Sequence, residues 1–311
     1  MQTRVVFMGS PDFALPSLEA LYAETDLVGV VTQPDRPVGR GRASLPCPVK
    51  ARADELGLPT YQPRSLKTLE AMGQLIAWKP ELIVVTAFGQ ILPQELLDLP
   101  AFGCLNVHAS LLPRWRGASP IQAALFTGDE KTGVSIMRMD AGLDTGPVLA
   151  KREVPIRPGT TGDELSSQLA HLGAQVLLEV LPAYLSGELQ PQPQPSTGAS
   201  YAPKIKKTDG LMDFDQGAEV LLRLVQAFHP WPGTYFDLDG KKLKVLEAHV
   251  HDSFIREPGN RLIVNGQPAM GTGQGILVLD QVQLEGRRPM PGEVFLNGYP
   301  AWLKPPAPVN P

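Results

Sequence analysis

Apolar and polar positions change rhythm along this chain, and the change divides it. In the first half, short apolar runs alternate with segments of helical spacing. Arg4–Gly9, Leu27–Thr32, Glu81–Thr86, Gly103–His108 and Thr132–Met139 read as strands. Pro11–Ala23, Val49–Leu56, Ser65–Trp78 and a stretch near Pro120–Phe126 read as helices between them. Runs such as Glu-Leu-Ile-Val-Val-Thr at 81–86 have no polar face, as expected of strands covered on both sides. The alternation predicts an α/β fold built on a Rossmann-like, doubly wound, mostly parallel sheet, with ligands at the carboxyl ends of its strands. A long helix, Gly162–Ser186, closes this region.

The rhythm then breaks. Pro191, Pro193 and Pro195 alternate with glutamines in an extended, semi-rigid segment. After one helix, Gln216–Ala227, the pattern becomes strand and turn: Thr234–Asp239, Lys242–Ala248, Arg261–Asn265, Gly275–Gln283 and the region near Gly292–Val294. So many short strands in about 80 residues predict a small OB-like β-barrel. The expected division is a catalytic domain at 1–189, a linker at 190–207 and a barrel domain at 208–311. A frayed Pro-rich end follows Lys304.

Composition narrows the function classes. The 311 residues suffice for two domains, and 43% apolar with 19% charged residues fits a folded protein. No apolar run reaches membrane-spanning length, and the start of the chain runs straight into a strand, so the cytoplasm is the expected compartment. The two cysteines, Cys47 and Cys104, form no CxxC pair, which argues against a metal centre or disulfide framework. His249 and His251 have metal-pair spacing, but a solvent-facing strand edge suits them better. A net charge of −4 excludes a bulk polyanion binder, so any nucleic acid must be met by local patches.

Chemistry concentrates in Asn106-Val107-His108-Ala109-Ser110-Leu111-Leu112-Pro113-Arg114-Trp115-Arg116-Gly117. Residues i and i+2 of a strand share a face, so Asn106 and His108 project together. An amide can donate to a developing oxyanion, and an imidazole moves protons near neutral pH. Downstream, Asp140-Ala141-Gly142-Leu143-Asp144-Thr145-Gly146 offers carboxylates in a loop at a strand end, although spacing alone cannot bring Asp144 to His108. The turn Gly9-Ser10-Pro11-Asp12-Phe13 has one glycine where a dinucleotide site needs GxGxxG, which argues against a nicotinamide or flavin enzyme. Gln33–Lys50 carries Arg36, Arg40 and Arg42 among glycines and prolines, a basic segment suited to a phosphate backbone.

Together these motifs resemble the folate-dependent formyltransferases, and within them methionyl-tRNA formyltransferase. The resemblance rests on Asn106–Gly117, the Asp-x-Gly-Leu-Asp-Thr-Gly loop, the Thr32–Gly41 segment and Ala227-Phe-His-Pro-Trp-Pro. It runs from Val5 to about Trp302. The chain departs from the family at His229, usually Asn, and at Trp115, often Tyr. The resemblance implies transfer of a formyl group from 10-formyltetrahydrofolate to the methionine amine of initiator methionyl-tRNA, without a metal. It implies Asn106, His108 and Asp144 as the catalytic set, with Asp144 favouring the useful His108 protonation state and orienting a relay water. Phe88, Gly89, Ile91, Leu92 and Ser110, Leu111, Leu112, Pro113 become the folate-contacting residues; for Phe88, Ile91 and Leu92 plain core packing is the competing role. Arg36, Arg40 and Arg42, with Lys204 and Lys207, become the tRNA contacts, and Lys241, Lys242, Lys244, Arg287 and Arg288 weaker ones. The enzyme is expected to act as a monomer. A formyltransferase for a small amine and a catalytically silent RNA-binding adaptor are the alternatives. The basic segment and barrel argue against the first, and the intact trio against the second.

Overall fold

The computed structural model describes residues 3–38, 43–252 and 257–303. Its contacts divide the chain into two units. One comprises Met1–Pro120, Lys131–Pro155 and Leu165–Pro203, and the other Ile121–Glu130, Ile156–Glu164 and Lys204–Pro311.

The first unit is built on a seven-stranded sheet. From one edge the order is Thr60–Tyr61, Asp26–Val31, Arg4–Gly9, Leu82–Thr86, Cys104–His108, Lys131–Arg138 and Val148–Pro155. The first five run parallel. Lys131–Arg138 is antiparallel to Cys104–His108, and Val148–Pro155 is antiparallel to Lys131–Arg138. The central strands Leu82–Thr86 and Cys104–His108 are buried along their whole length, as a sheet covered on both faces requires. Strand order reverses between Arg4–Gly9 and Leu82–Thr86, which opens a crevice at their carboxyl ends.

The expected elements are present with boundaries displaced by a few residues. The expected Pro11–Ala23 helix is a 3₁₀ turn, Asp12–Ala14, followed by the helix Leu15–Glu24. The basic segment contains a short antiparallel pair, Arg36–Val38 with Ala43–Leu45. Arg40 and Arg42 lie outside the described residues. Two strands of the seven-stranded sheet escaped the hydrophobic pattern. Thr60–Tyr61 is too short to show a period, and Val148–Pro155 is an edge strand whose second half is largely exposed. That edge strand makes the Asp140–Pro147 stretch the connection of a β-hairpin.

The second unit carries an antiparallel sheet in the order Thr234–Leu238, Lys241–His251, Ile276–Leu284, Gln267–Gly271, Arg261–Val264, consistent with a small barrel-like fold. Two of its hairpins close through Asp239-Gly240 and Asn265-Gly266, with φ of 52°, 80°, 50° and 77°. Left-handed pairs of this kind match the strand twist. The helix Ala218–Ala227 buries Leu221, Leu224 and Val225 on one face. The expected strand near Gly292–Val294 is confined to Met290–Pro291, and a helix, Gly292–Gly298, follows it. Aromatic packing anchors that helix. Phe295, on the helix, stacks on Tyr299 just past its end at 5.3 Å and meets Trp302 of the following 3₁₀ turn edge-on at 5.6 Å. Among the described residues, no helix is long and apolar enough to cross a membrane.

Candidate active site

Asn106 and His108 stand near the carboxyl end of a central strand, one strand beyond the crevice. They share a face, with Leu105 and Val107 directed to the other. Both are enclosed, at 9% and 5% exposure. The ring of His108 is fixed through Nε2, which lies 3.0 Å from the Trp115 carbonyl. A carbonyl only accepts, so Nε2 carries the proton. In the neutral ring the lone pair is then on Nδ1.

Asp144 arrives from the hairpin connection. Its Oδ2 lies 3.8 Å from His108 Nδ1, and its Oδ1 accepts a long hydrogen bond of 3.5 Å from Asn106 Nδ2. The second Asn106 N–H keeps its donor capacity. The Gly117 N–H donates to Asp144 Oδ2 at 2.8 Å. Gly117 has φ 113°, and a Cβ there would meet the Ala202 carbonyl oxygen at 2.5 Å, so this donor needs glycine. Asp144 itself is held in the left-handed region, φ 53°. The structure thus brings together the three residues that spacing alone could not.

Ser110–Pro113 forms a firmly tied bend beside them. Ser110 Oγ donates to Arg114 O at 2.6 Å, and Ser135 Oγ donates to Ser110 O at 2.7 Å while accepting from Leu112 N at 3.1 Å. Lys151 Nζ also donates to the Leu112 carbonyl, and partial burial lowers the affinity of this amine for its proton. Ser110 and Leu112 are buried, and Leu111 and Pro113 partly so. After the adjoining strand Leu82–Thr86, Ala87 and Gly89 turn the chain with φ of 47° and 80°. Phe88 and Leu92 are buried within a hydrophobic cluster, so their side chains are core, whereas Ile91 is 82% exposed. The Thr86 hydroxyl is buried at the strand end without a hydrogen-bond partner.

Two groups were invisible to sequence reasoning. Gln33 joins the walls of the crevice, donating its backbone N–H to Ser10 Oγ at 3.0 Å and its Nε2 to Phe88 O at 3.0 Å. The Pro-rich segment also serves the site. Gln194 and Ser200 bond to the Asp144 and Trp115 loops, and Tyr201–Ala202 pairs in parallel with Arg116–Gly117. Only the glutamines between its prolines could have signalled this.

Other expected residues lie apart from the trio in the chain. Arg36 begins the short basic strand, and Lys204 and Lys207 are exposed residues of the second unit. Lys241, Lys244, Arg287 and Arg288 are exposed, and Lys242 Nζ sits 3.7 Å over the Tyr235 ring. His249 Nδ1 lies 2.9 Å from Asp280 Oδ1. Among the described residues no group of His, Cys, Asp and Glu is arranged to hold a metal. Burial pushes the Cys104 thiol up to about 12, so this neighbour of the site is no nucleophile at neutral pH.

The formyl transferase family model matches residues 3–181, and that of the formyl transferase C-terminal domain matches 204–300. The chain is 49% identical over 298 residues to a methionyl-tRNA formyltransferase of Myxococcus xanthus, covering 95% of each chain. It is 45% identical over 298 residues to that of Geobacter sulfurreducens, covering 95% of this chain and 94% of the relative. Among solved structures, an N-formyltransferase from Helicobacter canadensis in complex with folinic acid and dTDP-3-aminofucose superposes with a TM-score of 0.67 at 17% identity, over 90% of this chain and 99% of that one. HypX from Aquifex aeolicus in complex with tetrahydrofolic acid gives 0.61 at 18% identity, over 98% of this chain and 48% of that one. At such identities the likeness is one of fold.

Proposed function

Because the chain belongs to the methionyl-tRNA formyltransferase family, we propose that Asn106, His108 and Asp144 carry its reaction. The enzyme transfers the formyl group of 10-formyltetrahydrofolate to the α-amino group of methionine on initiator methionyl-tRNA, giving N-formylmethionyl-tRNA for translation initiation. The observation that carries the residue assignment is the meeting of one amide, one imidazole and one carboxylate at a strand end beside a topological switch point.

The surroundings suit a folate. The Thr86 hydroxyl is buried without a partner, and the adjoining donors are a neutral amide and an imidazole. Gly89, Ser110, Leu111, Leu112 and Pro113 form the folate seat in this proposal, with Ile91 exposed at its rim and Phe88 and Leu92 supporting it from the core. When bound, 10-formyltetrahydrofolate supplies a formyl group on a nitrogen that can leave.

Asn106 Nδ2 donates to the formyl oxygen as negative charge grows there, and one such donor typically contributes about 10²–10³ in rate. The neutral α-amine bonds to the formyl carbon, and the proton this nitrogen then sheds passes to His108 Nδ1, the nitrogen that the Trp115 carbonyl leaves unprotonated. Asp144 Oδ2, already 3.8 Å away, pairs with the resulting imidazolium. His108 then returns the proton to the donor nitrogen as the bond from that nitrogen to the formyl carbon breaks and the carbonyl re-forms. The base need not be strong, because an α-amino group has a pKa of about 7.7–8.0.

Arg36, Arg40, Arg42, Lys204 and Lys207 are the proposed tRNA contacts. Their support is the family membership, together with the basic character of the 33–50 segment and the exposure of both lysines. We place the enzyme in the cytoplasm, where charged initiator tRNA is used, and as a monomer, a form in which one chain already supplies the whole trio. The decisive assay supplies labelled 10-formyltetrahydrofolate with charged initiator tRNA, charged elongator methionyl-tRNA or a small amino sugar. Label should pass to the initiator species. Preference for the amino sugar would contradict the assignment.

A further inference from the structure

The extended Pro-rich segment is fixed in register against the catalytic unit. Gln192 exchanges both backbone hydrogen bonds with Val148, each 2.8 Å. Two residues on, Gln194 lies over the Asp144 hairpin. Its Nε2 donates to the Asp144 carbonyl and to the Gly146 carbonyl, each at 2.8 Å. Its Oε1 accepts from Arg116 Nε at 3.1 Å and from Arg116 Nη2 at 2.7 Å. Both N–H groups and both lone pairs of this amide are therefore engaged.

These bonds converge on one residue. Asp144 has a left-handed backbone, φ 53°, uncommon outside glycine though tolerated by aspartate better than by most residues, and the bonds from Gln194 hold both carbonyls of that turn. Two carbonyls of its turn face a single point, and a side-chain amide can supply both donors at once. Arg116, held by the other end of that amide, precedes Gly117, whose N–H grips the Asp144 carboxylate. Gln194 thus ties the backbone of Asp144 to the strand that fixes its side chain.

We propose that Gln194 is a positioning residue for formyl transfer, clamping Asp144 in the conformation that faces His108. This rests on the assignment of Asp144 to the reaction. Gln194 would leave the binding of both substrates untouched and act on the chemical step. Without the clamp Asp144 relaxes out of the left-handed region and carries its carboxylate away from the ring. A misplacement of about 1 Å at a reacting group commonly costs about 10²-fold.

The test compares single-turnover formylation of methionyl-initiator tRNA, with both substrates saturating, in the full-length wild type and the variants Gln194→Met, Gln194→Glu, Arg116→Ala and Asp144→Ala. Gln194→Met keeps side-chain length without any hydrogen bond. Gln194→Glu turns the donor into an acceptor opposite two carbonyls. Both should lose about 10²-fold in the chemical step while each KM stays within about twofold and the melting transition remains cooperative. Arg116→Ala, which spares both bonds to the hairpin, should lose less. If Asp144→Ala is inactive while both Gln194 variants turn over normally, or change only KM, the clamp is refuted and the Asp144 assignment stands. If Asp144→Ala itself turns over normally, the assignment falls and the clamp with it.

Discussion

Among the described residues two His–Asp pairs meet, and the closer one is not at the candidate active site. His249 and Asp280 approach to 2.9 Å, with side chains 54% and 34% exposed. His108 and Asp144 stand at 3.8 Å, with side chains 6% and 14% exposed. In the barrel strands the pair is open to solvent, and water screens it. At the end of the parallel sheet the imidazole is fixed by a carbonyl, the carboxylate by a backbone N–H, and an amide donor shares the space. Chemistry depends on what orients and encloses the pair rather than on the pair's separation.

The comparison can be broken by treating the two sites alike. His108→Ala should lower turnover by about 10²–10⁴, the usual contribution of a positioned acid–base group, as read by single-turnover formylation. Asn106→Ala should lower it by about 10²–10³ with little change in the binding of either substrate, which a comparison of kcat and KM would check. Gly117→Ala should cost roughly 10²-fold, because a Cβ at that position meets Ala202 O at 2.5 Å and displaces the N–H that holds Asp144. The smallest effect is expected of His249→Ala. Turnover should be unchanged, and denaturant unfolding should show a loss of about 0–1 kcal/mol that shrinks in high salt.

The same contrast explains what the sequence could disclose. Parallel strands such as Leu82–Thr86 announce themselves because burial on both faces leaves an uninterrupted apolar run. Asn106 and His108 were legible as a pair because strand period alone puts them on one face. Val148–Pro155 was not legible, since an edge strand with a solvated half has no such signature, and with it went the hairpin that delivers Asp144 to its partners. Gln33 and Gln194 were also hidden. Each acts through long-range bonds, spanning 55 and 50 residues, that no local spacing encodes. The Gly292–Gly298 helix was read as strand because so short an element between glycines shows no clear period, and only Met290–Pro291 pairs as strand. The assignment of a formyl donor and a tRNA acceptor came from whole motifs, not from any single residue's chemistry.

The central claim is that Asp144 contributes to the reaction through the geometry that encloses it. The most direct measurement applies one substitution to both pairs, Asp144→Asn and Asp280→Asn, and follows single-turnover formylation of methionyl-initiator tRNA with both substrates saturating. The account predicts a loss of at least about 10²-fold for Asp144→Asn and wild-type turnover for Asp280→Asn. Equal turnover by the two variants would contradict it.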